Sequence, residues 1–136
     1  MEDSLSVATE TYTLDYIHVT SGSTTVPTAT VRLKKGAETL QDSSPGNGAV
    51  DAAMQAIDRI VSRSGNLAQY SVEAVTQGRD SLGEVTIKVD FGNGDLITGK
   101  GASTDVIEAS ARAYINAVNR AEALHGRRQT VAAAPI

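Results

Sequence analysis

The chain has 136 residues, of which 40% are hydrophobic, 21% are charged and only 4% are aromatic. This length predicts one compact domain whose core is built from Val, Ile, Leu and Ala. A net charge of -4 and the absence of cysteine argue against a nucleic-acid binder, a disulfide framework and thiolate metal sites. Without an apolar run typical of a signal peptide or a membrane span, we expect a cytoplasmic protein with no nucleic-acid or membrane partner.

The first half of the chain predicts three strands and a helix. β-branched residues alternate with polar ones over residues 14–20 and 26–34, and the SGSTT segment between them favours a hairpin turn. A short third strand is expected over 38–41, ahead of residues 42–46, whose Pro45 and Gly46 disfavour a helix. Apolar residues then recur at helical spacing from Val50 to Val61, which predicts a helix that ends by Gly65.

The second half predicts the same order of elements. Strands are expected over 69–76, 83–91 and 96–98, with GNGD as the hairpin turn, followed by a helix capped by Ser103 or Thr104. Because each β-β-β-α unit has a single apolar face, the two units must pack on each other or on a partner. The expected fold is therefore α+β, with antiparallel sheets and two helices.

The two halves also resemble each other, which indicates an internal repeat. Tyr16 aligns with Tyr70 and Val31 aligns with Val85 at the same offset, and Gly48 then aligns with Gly101 after a slip of one residue. Each copy reads Gly-x-Gly-Ala and has an Asp shortly after it. The alignment predicts that both glycine-rich stretches form equivalent joints between the third strand and the helix.

Neither of two candidate catalytic chemistries is well supported by its context. GDLITGKG, residues 94–101, matches the start of a P-loop, but Gly stands where Ser or Thr would bind magnesium. Lys100 is then a solvated charge on an edge strand. Asp51 and Asp105 could form an acid pair across a pseudo-twofold axis, although an Asp in a first helical turn more often stabilises the helix N-terminus. The sequence predicts no catalytic residue and no metal site.

The start of the first helix suits a small zwitterion. Asn47 and Gly48 offer a side-chain amide and unhindered backbone N–H groups that could hold a carboxylate, while Asp51 could pair with an ammonium group. Apolar neighbours could hold the remainder of such a ligand. On the residues alone this is one possibility among several.

Three segments resemble a known family: GNGAVDAAMQAI (46–57), YSVEAVTQGRDSLGEVTIKV (70–89) and GKGASTDVIEASARAYINAVNR (99–120). They are similar to the C-terminal regulatory domain of 2-isopropylmalate synthases, and citramalate synthases carry a related domain. The resemblance implies two β-β-β-α units that dimerise and bind the end-product amino acid at the dimer interface. GRDSLGEVTIKV is closer to the isopropylmalate branch, which favours L-leucine over L-isoleucine.

The resemblance also implies which residues contact the effector, with core packing or helix capping as the alternative for each. The effector-binding positions that it implies are Asn47, Gly48, Val50, Asp51, Leu67, Tyr70, Ala74, Val85, Thr104 and Val106. Two of them depart from the family pattern. Asp51 is not an acid throughout the family, and Thr104 stands where Pro is common.

The regulatory domain is expected at residues 14–125, with unit one at 14–65 and unit two at 66–125. The flanks at 1–13 and 126–136 lack periodicity and are expected to be flexible. The family's catalytic barrel, which uses a divalent metal and acetyl-CoA, has no counterpart in this sequence. We therefore expect a non-catalytic domain without cofactors. Its expected partners are a second copy, the barrel of the parent enzyme, and L-leucine or L-isoleucine. A purely structural dimerisation module is the alternative.

Overall fold

The protein, seen in a computed structural model, forms two successive β-β-β-α units, which confirms the predicted α+β fold. The structure describes residues 11–74, 82–92 and 94–133, with side chains described through Leu124. In chain order the elements are β1 (Thr13–Gly22), β2 (Thr25–Lys35), β3 (Glu38–Pro45), α1 (Ala49–Val61), β4 (Asn66–Ala74), β5 (Gly83–Asp90), β6 (Leu96–Ser103) and α2 (Val106–Ala133).

Each unit contains a three-stranded antiparallel sheet, ordered β1-β2-β3 in the first unit and β4-β5-β6 in the second. Both sheets have a bulge near the start of their first strand, between Leu14 and Tyr16 in β1 and between Leu67 and Gln69 in β4. A bulge inserts one extra residue and is normally kept within a family of related structures. A bulge near the start of the first strand in both units agrees with the duplication that the sequence indicates.

The predicted equivalence of the two Gly-x-Gly-Ala stretches is wrong. Gly48 is the N-cap of α1, whereas Gly101 lies inside β6, which continues to Ser103. The reason is close packing: a Cβ on Gly99 or Gly101 would collide with main-chain atoms of α2. Glycine at these positions therefore allows α2 to lie directly on β6. The strand is also longer than the predicted residues 96–98.

One hydrophobic core holds the two units together. Buried residues from both units, including Leu33, Ile57, Ile87 and Val118, belong to a single contiguous cluster. Helix α1 packs mainly on β2 and β3 and also contacts β1, while α2 packs mainly on β6 and β5. The helices also contact each other, and α2 reaches β1 of the first unit. The two units thus bury their apolar faces against each other, as their patterns require.

The start of the described chain is fixed to α2 by a paired hydrogen bond. The Tyr12 N–H donates to Asn119 Oδ1 (2.8 Å), and Asn119 Nδ2 donates to the Tyr12 carbonyl (2.9 Å). Tyr12 is only 5% exposed, although its position in the sequence predicts that it belongs to the N-terminal flank. The flank's residues 1–10 lie outside the described part of the chain.

Helix α2 differs from its prediction at its start. Its cap is Asp105, whose Oδ1 accepts the Ile107 N–H (2.9 Å), and not Ser103 or Thr104. An Asp side chain satisfies a free first-turn N–H as well as Ser does, which moves the helix start one or two residues later. The helix continues to Ala133, past residue 125, where the domain was expected to end. Within the described residues, no helix is long and apolar enough to span a membrane.

Candidate functional site

A groove of about 520 Å³ lies between α1 and the start of β4, next to α2. Its wall comes from all three elements and from the segment that joins α1 to β4. The lining residues are Val50, Asp51, Met54, Gln55, Asp58, Gly65, Asn66, Leu67, Tyr70 and Tyr114. Such a volume is in the range that small-molecule sites occupy.

The α1 wall is one stripe of the helix. Residues three, four and seven apart share a helix face, so Asp51, Gln55 and Asp58 line the groove together with Val50 and Met54. This stripe alternates between acidic or amide groups and aliphatic ones. It can therefore contact both the polar and the apolar parts of a ligand.

The β4 wall is apolar and uncovered. Leu67 is 43% exposed and Tyr70 is 39% exposed, because α2 lies over β5 and β6 and leaves the helix-facing side of β4 open. The Tyr70 hydroxyl is 2.6 Å from Ser110 Oγ, and Ser110 Oγ donates to the Val106 carbonyl of α2. These bonds hold the Tyr70 ring in one position beside the groove.

One end of the groove adjoins the N-terminus of α1. Gly48, the N-cap of α1, has no side chain that could accept a hydrogen bond from the free N–H groups of the first turn. Asp51 Oδ2 accepts the Asn47 N–H (2.8 Å) and Gln55 Nε2 (2.8 Å). Helix N–H groups favour an anion and a carboxylate favours a cation, and here the two lie side by side.

The other end of the groove is closed by a carboxyl–phenol pair. Asp58 accepts a short hydrogen bond from the Tyr114 hydroxyl and another from the Gly65 N–H. Burial raises the pKa of Asp58 to about 6, and the Tyr114 and Gly65 bonds only partly oppose this effect. Burial and the neighbouring Asp58 also raise the pKa of Tyr114 well above its usual range. Tyr114 thus remains a hydrogen-bond donor at any physiological pH.

The structure places four of the ten predicted effector-binding residues in the lining of this groove and two more next to it. Val50, Asp51, Leu67 and Tyr70 line it, while Asn47 is hydrogen bonded to Asp51 and Gly48 caps the adjoining helix. The other four are not among its lining residues. They are placed as follows: Ala74 is exposed at the end of β4, Thr104 and Val106 are exposed at the start of α2, and Val85 is fully buried in the core.

Sequence reasoning missed Asp58 and Tyr114 at the closed end, and also Met54 and Gln55. Helical spacing from Asp51 could have pointed to Gln55 and Asp58, since residues four and seven further along share its face. No local pattern identifies Tyr114, because it is 56 residues from Asp58 in the chain.

The structure is a duplicated β-β-β-α domain with a groove of small-molecule size at the junction of its two units. Residues 1–122 match the family described as the LeuA allosteric (dimerisation) domain, and the chain belongs to this family. Its role is accordingly regulatory and in dimerisation. The match confirms the resemblance to a regulatory domain that the three sequence segments indicate.

Curated relatives are described as 2-isopropylmalate synthase. The protein from Methylacidiphilum infernorum is 54% identical over 121 residues, which is 89% of this chain and 24% of the relative. The one from Carboxydothermus hydrogenoformans is 51% identical over 120 residues, 88% of this chain and 24% of the relative. The one from Pyrococcus furiosus is 44% identical over 110 residues, 80% of this chain and 21% of the relative. The chain thus spans about a quarter of the length of these relatives.

Proposed function

We propose that the chain is the effector-sensing domain of a 2-isopropylmalate synthase, and that it binds L-leucine in the groove for feedback inhibition of leucine biosynthesis. The observation that carries this proposal is the combination of an uncapped helix N-terminus, a carboxylate and an open apolar wall in one groove. These are the three features that a branched-chain amino acid needs. The family and the relatives' names support the same conclusion.

The ligand's orientation follows from the groove's polarity. The leucine carboxylate accepts hydrogen bonds from the first-turn N–H groups next to Gly48, where the helix dipole also favours negative charge. The ammonium group pairs with Asp51, which keeps acceptor capacity because a carboxylate offers about four acceptor sites. The isobutyl group then extends along Met54, Leu67 and Tyr70, away from the helix start.

The charged contacts must supply most of the affinity. Burying a leucine side chain contributes roughly 1.5 to 3 kcal/mol, whereas micromolar affinity requires about 8 kcal/mol. Discrimination between leucine and isoleucine depends on the placement of one methyl group and is worth about 1 to 3 kcal/mol. An isoleucine-binding domain of a citramalate synthase is therefore the nearest alternative, and a structural dimerisation module without ligand is the second.

A second copy is expected to cover the exposed apolar side of β4. Val72 is 43% exposed, and it lies against Gly83 beside Val106, which is 42% exposed. We propose that this surface forms the dimer interface and that Thr104 and Val106 of one copy approach the ligand bound to the other. Inhibition of the parent enzyme then needs a coupling free energy of about 1 to 3 kcal/mol between groove and barrel.

The remaining expectations about the parent enzyme belong to this proposal. The domain itself carries no catalysis and needs no cofactor, and a separate barrel condenses acetyl-CoA with a 2-keto acid in the cytoplasm. Measuring acetyl-CoA consumption with the isolated chain tests the first point. Any turnover above buffer would contradict it.

Calorimetric titration of the 136-residue chain with L-leucine, L-isoleucine and L-valine tests the ligand. We expect the tightest binding for leucine, and a weakening of about tenfold or more in Asp51→Asn, since a hydrogen bond to a charged group is worth about 1.5 to 3 kcal/mol. Asp15→Asn is the matched control, because Asp15 pairs with Arg32 on β2 and does not line the groove. No heat and no thermal shift with any of the three amino acids would rule out the ligand.

Sedimentation or light scattering tests the interface separately. The wild-type chain is expected to be a dimer, and Val72→Asp is expected to be a monomer because it places a charge in the apolar interface. Val26→Asp is the control, since Val26 is 65% exposed on β2 and away from this surface. A monomeric wild type, or a dimer that tolerates Val72→Asp but not Val26→Asp, would contradict the proposed interface.

A further inference from the structure

The closed end of the groove joins three parts of the chain at one carboxyl group. Asp58 belongs to α1, Tyr114 belongs to α2, and the Gly65 N–H lies in the segment that leads into β4. Tyr114 is only 1% exposed, and its hydroxyl packs so closely on Gly65 that a Cβ at that position would collide with it. The Tyr114 ring therefore has little freedom, and its bond to Asp58 fixes where the groove ends.

Among the residues that line the groove, none is basic. The ionisable ones are two acids, Asp51 and Asp58, and two phenols, Tyr70 and Tyr114. The nearby arginines of α1 and its C-terminal end pair elsewhere: Arg59 with Asp42 at 3.6 Å and Arg63 with Glu122 at 3.3 Å. Within the described part of the chain, the negative charge of Asp58 is thus stabilised by two hydrogen bonds and by the water that reaches it through the open groove.

An aliphatic ligand changes this balance. When an isobutyl group occupies the groove between Met54 and Leu67, it displaces the water that solvates Asp58. Desolvation disfavours the charged form of a carboxyl group, so the protonated form gains relative stability. Burial already raises the pKa of Asp58 to about 6 in the free protein, so this proton exchange falls in a readily measured pH range.

We propose that Asp58 is a positioning residue of the effector pocket, acting through Tyr114, and that its carboxyl group takes up a proton from solvent when an aliphatic amino acid fills the groove. This inference rests on the proposed function, because it needs such a ligand. The protonated carboxyl group remains bonded to Tyr114 and Gly65, so the end of the groove keeps its shape while it loses its charge. The domain consequently binds its effector more tightly as the pH falls.

Leucine titrations of the full chain at half-unit steps from pH 5 to pH 8.5, each in two buffers of different ionisation enthalpy, test this proposal. Affinity is expected to rise as the pH falls toward about 6, with net proton uptake. Each unit by which the ligand raises the pKa of Asp58 gives about a tenfold change in affinity. Asp58→Asn keeps an acceptor for Tyr114 but cannot titrate. It is expected to bind leucine with an affinity that is nearly independent of pH.

Two further variants separate positioning from titration. Tyr114→Phe removes the bond that lowers the pKa of Asp58, so the midpoint of the affinity profile should move to higher pH. The double variant His18→Gln/His125→Gln removes the two histidines of the chain. It should keep the wild-type profile.

Each outcome decides between the two proposals. No leucine binding at any pH refutes the proposed function and this inference with it. Binding that does not change with pH, proton release instead of uptake, or an Asp58→Asn profile that matches the wild type refutes this inference alone. If circular dichroism shows that Asp58→Asn does not fold, the Tyr114→Phe midpoint decides, and an unchanged midpoint overturns the proposal.

Discussion

Replacing Gly101 with alanine tests the close packing of α2 on β6. A methyl group at this position would lie 2.5 Å from both the Ala109 carbonyl oxygen and the Ala113 nitrogen. These are main-chain atoms of a helix and cannot rotate away, so α2 itself must shift. Overpacking costs about 1 to 3 kcal/mol, partly offset by the roughly 0.4 to 1 kcal/mol that Gly→Ala contributes through the unfolded chain. We expect a net loss of about 1 to 2 kcal/mol and a Tm lower by roughly 3 to 10 °C.

Urea and thermal unfolding followed by circular dichroism measure this loss, with Gly22→Ala as the control. A Cβ at Gly22 has Thr25 Oγ1 as its nearest neighbour, at an ordinary 3.7 Å, so this variant should stay within about 0.5 kcal/mol of the wild type. If Gly101→Ala is as stable as Gly22→Ala, then contact with α2 does not explain the glycine. The Gly-x-Gly stretch would then need another role.

Substitutions at three further residues test single side chains by urea unfolding. Asn119→Ala leaves the buried N–H and carbonyl of Tyr12 unpaired and should cost about 2 to 4 kcal/mol; a loss below about 1 kcal/mol would contradict this. Asp105→Ala removes the α2 cap and should cost about 1 kcal/mol, whereas Asp105→Asn should cost little. The pKa of Asp58 is about 6 in the native state, against an ordinary value of 3.8. Between about pH 4 and 6 the native state binds a proton that the unfolded chain has lost, so wild-type stability falls as the pH rises through this range. This loss of stability is at most about 3 kcal/mol, and solvent screening makes it smaller. Asp58→Asn should abolish the pH dependence of stability. A variant that keeps the wild-type pH dependence would refute its assignment to Asp58.

The central strand of the first unit was predictable because its signal is local. Alternation over residues 26–34 predicts nearly all of β2, which spans Thr25–Lys35. The third strands were predicted too short, at 38–41 and 96–98, because Ser43, Ser44 and the glycines of β6 carry no strand preference. Contacts with β2 and β5 and with the helices set the true ends of these strands, at Pro45 and Ser103. Tertiary packing of this kind leaves no trace in a short window of sequence.

The candidate site likewise has one part that the sequence predicts and one part that it does not. Asn47, Gly48 and Asp51 could be selected from sequence because the groups at a helix start are near neighbours in the chain. The Asp58–Tyr114 pair could not, because a helix in each unit supplies one partner and only the packing of α1 on α2 brings them together. The chemistry of the open end was therefore predictable, and that of the closed end was not.

The apolar side of the first strand is partly covered in one unit and open in the other. Val31 aligns with Val85, so their partners on the neighbouring strand, Ile17 of β1 and Val72 of β4, are equivalent in the repeat. In the first unit α1 contacts β1, and Ile17 is partly buried against the core. In the second unit α2 is held on β6 by the glycine contacts, which leaves Val72 exposed, together with Tyr70 on the same side of β4. The position of one helix on its sheet therefore opens the apolar wall of the pocket, and the same shift uncovers the surface that a second copy is proposed to bury.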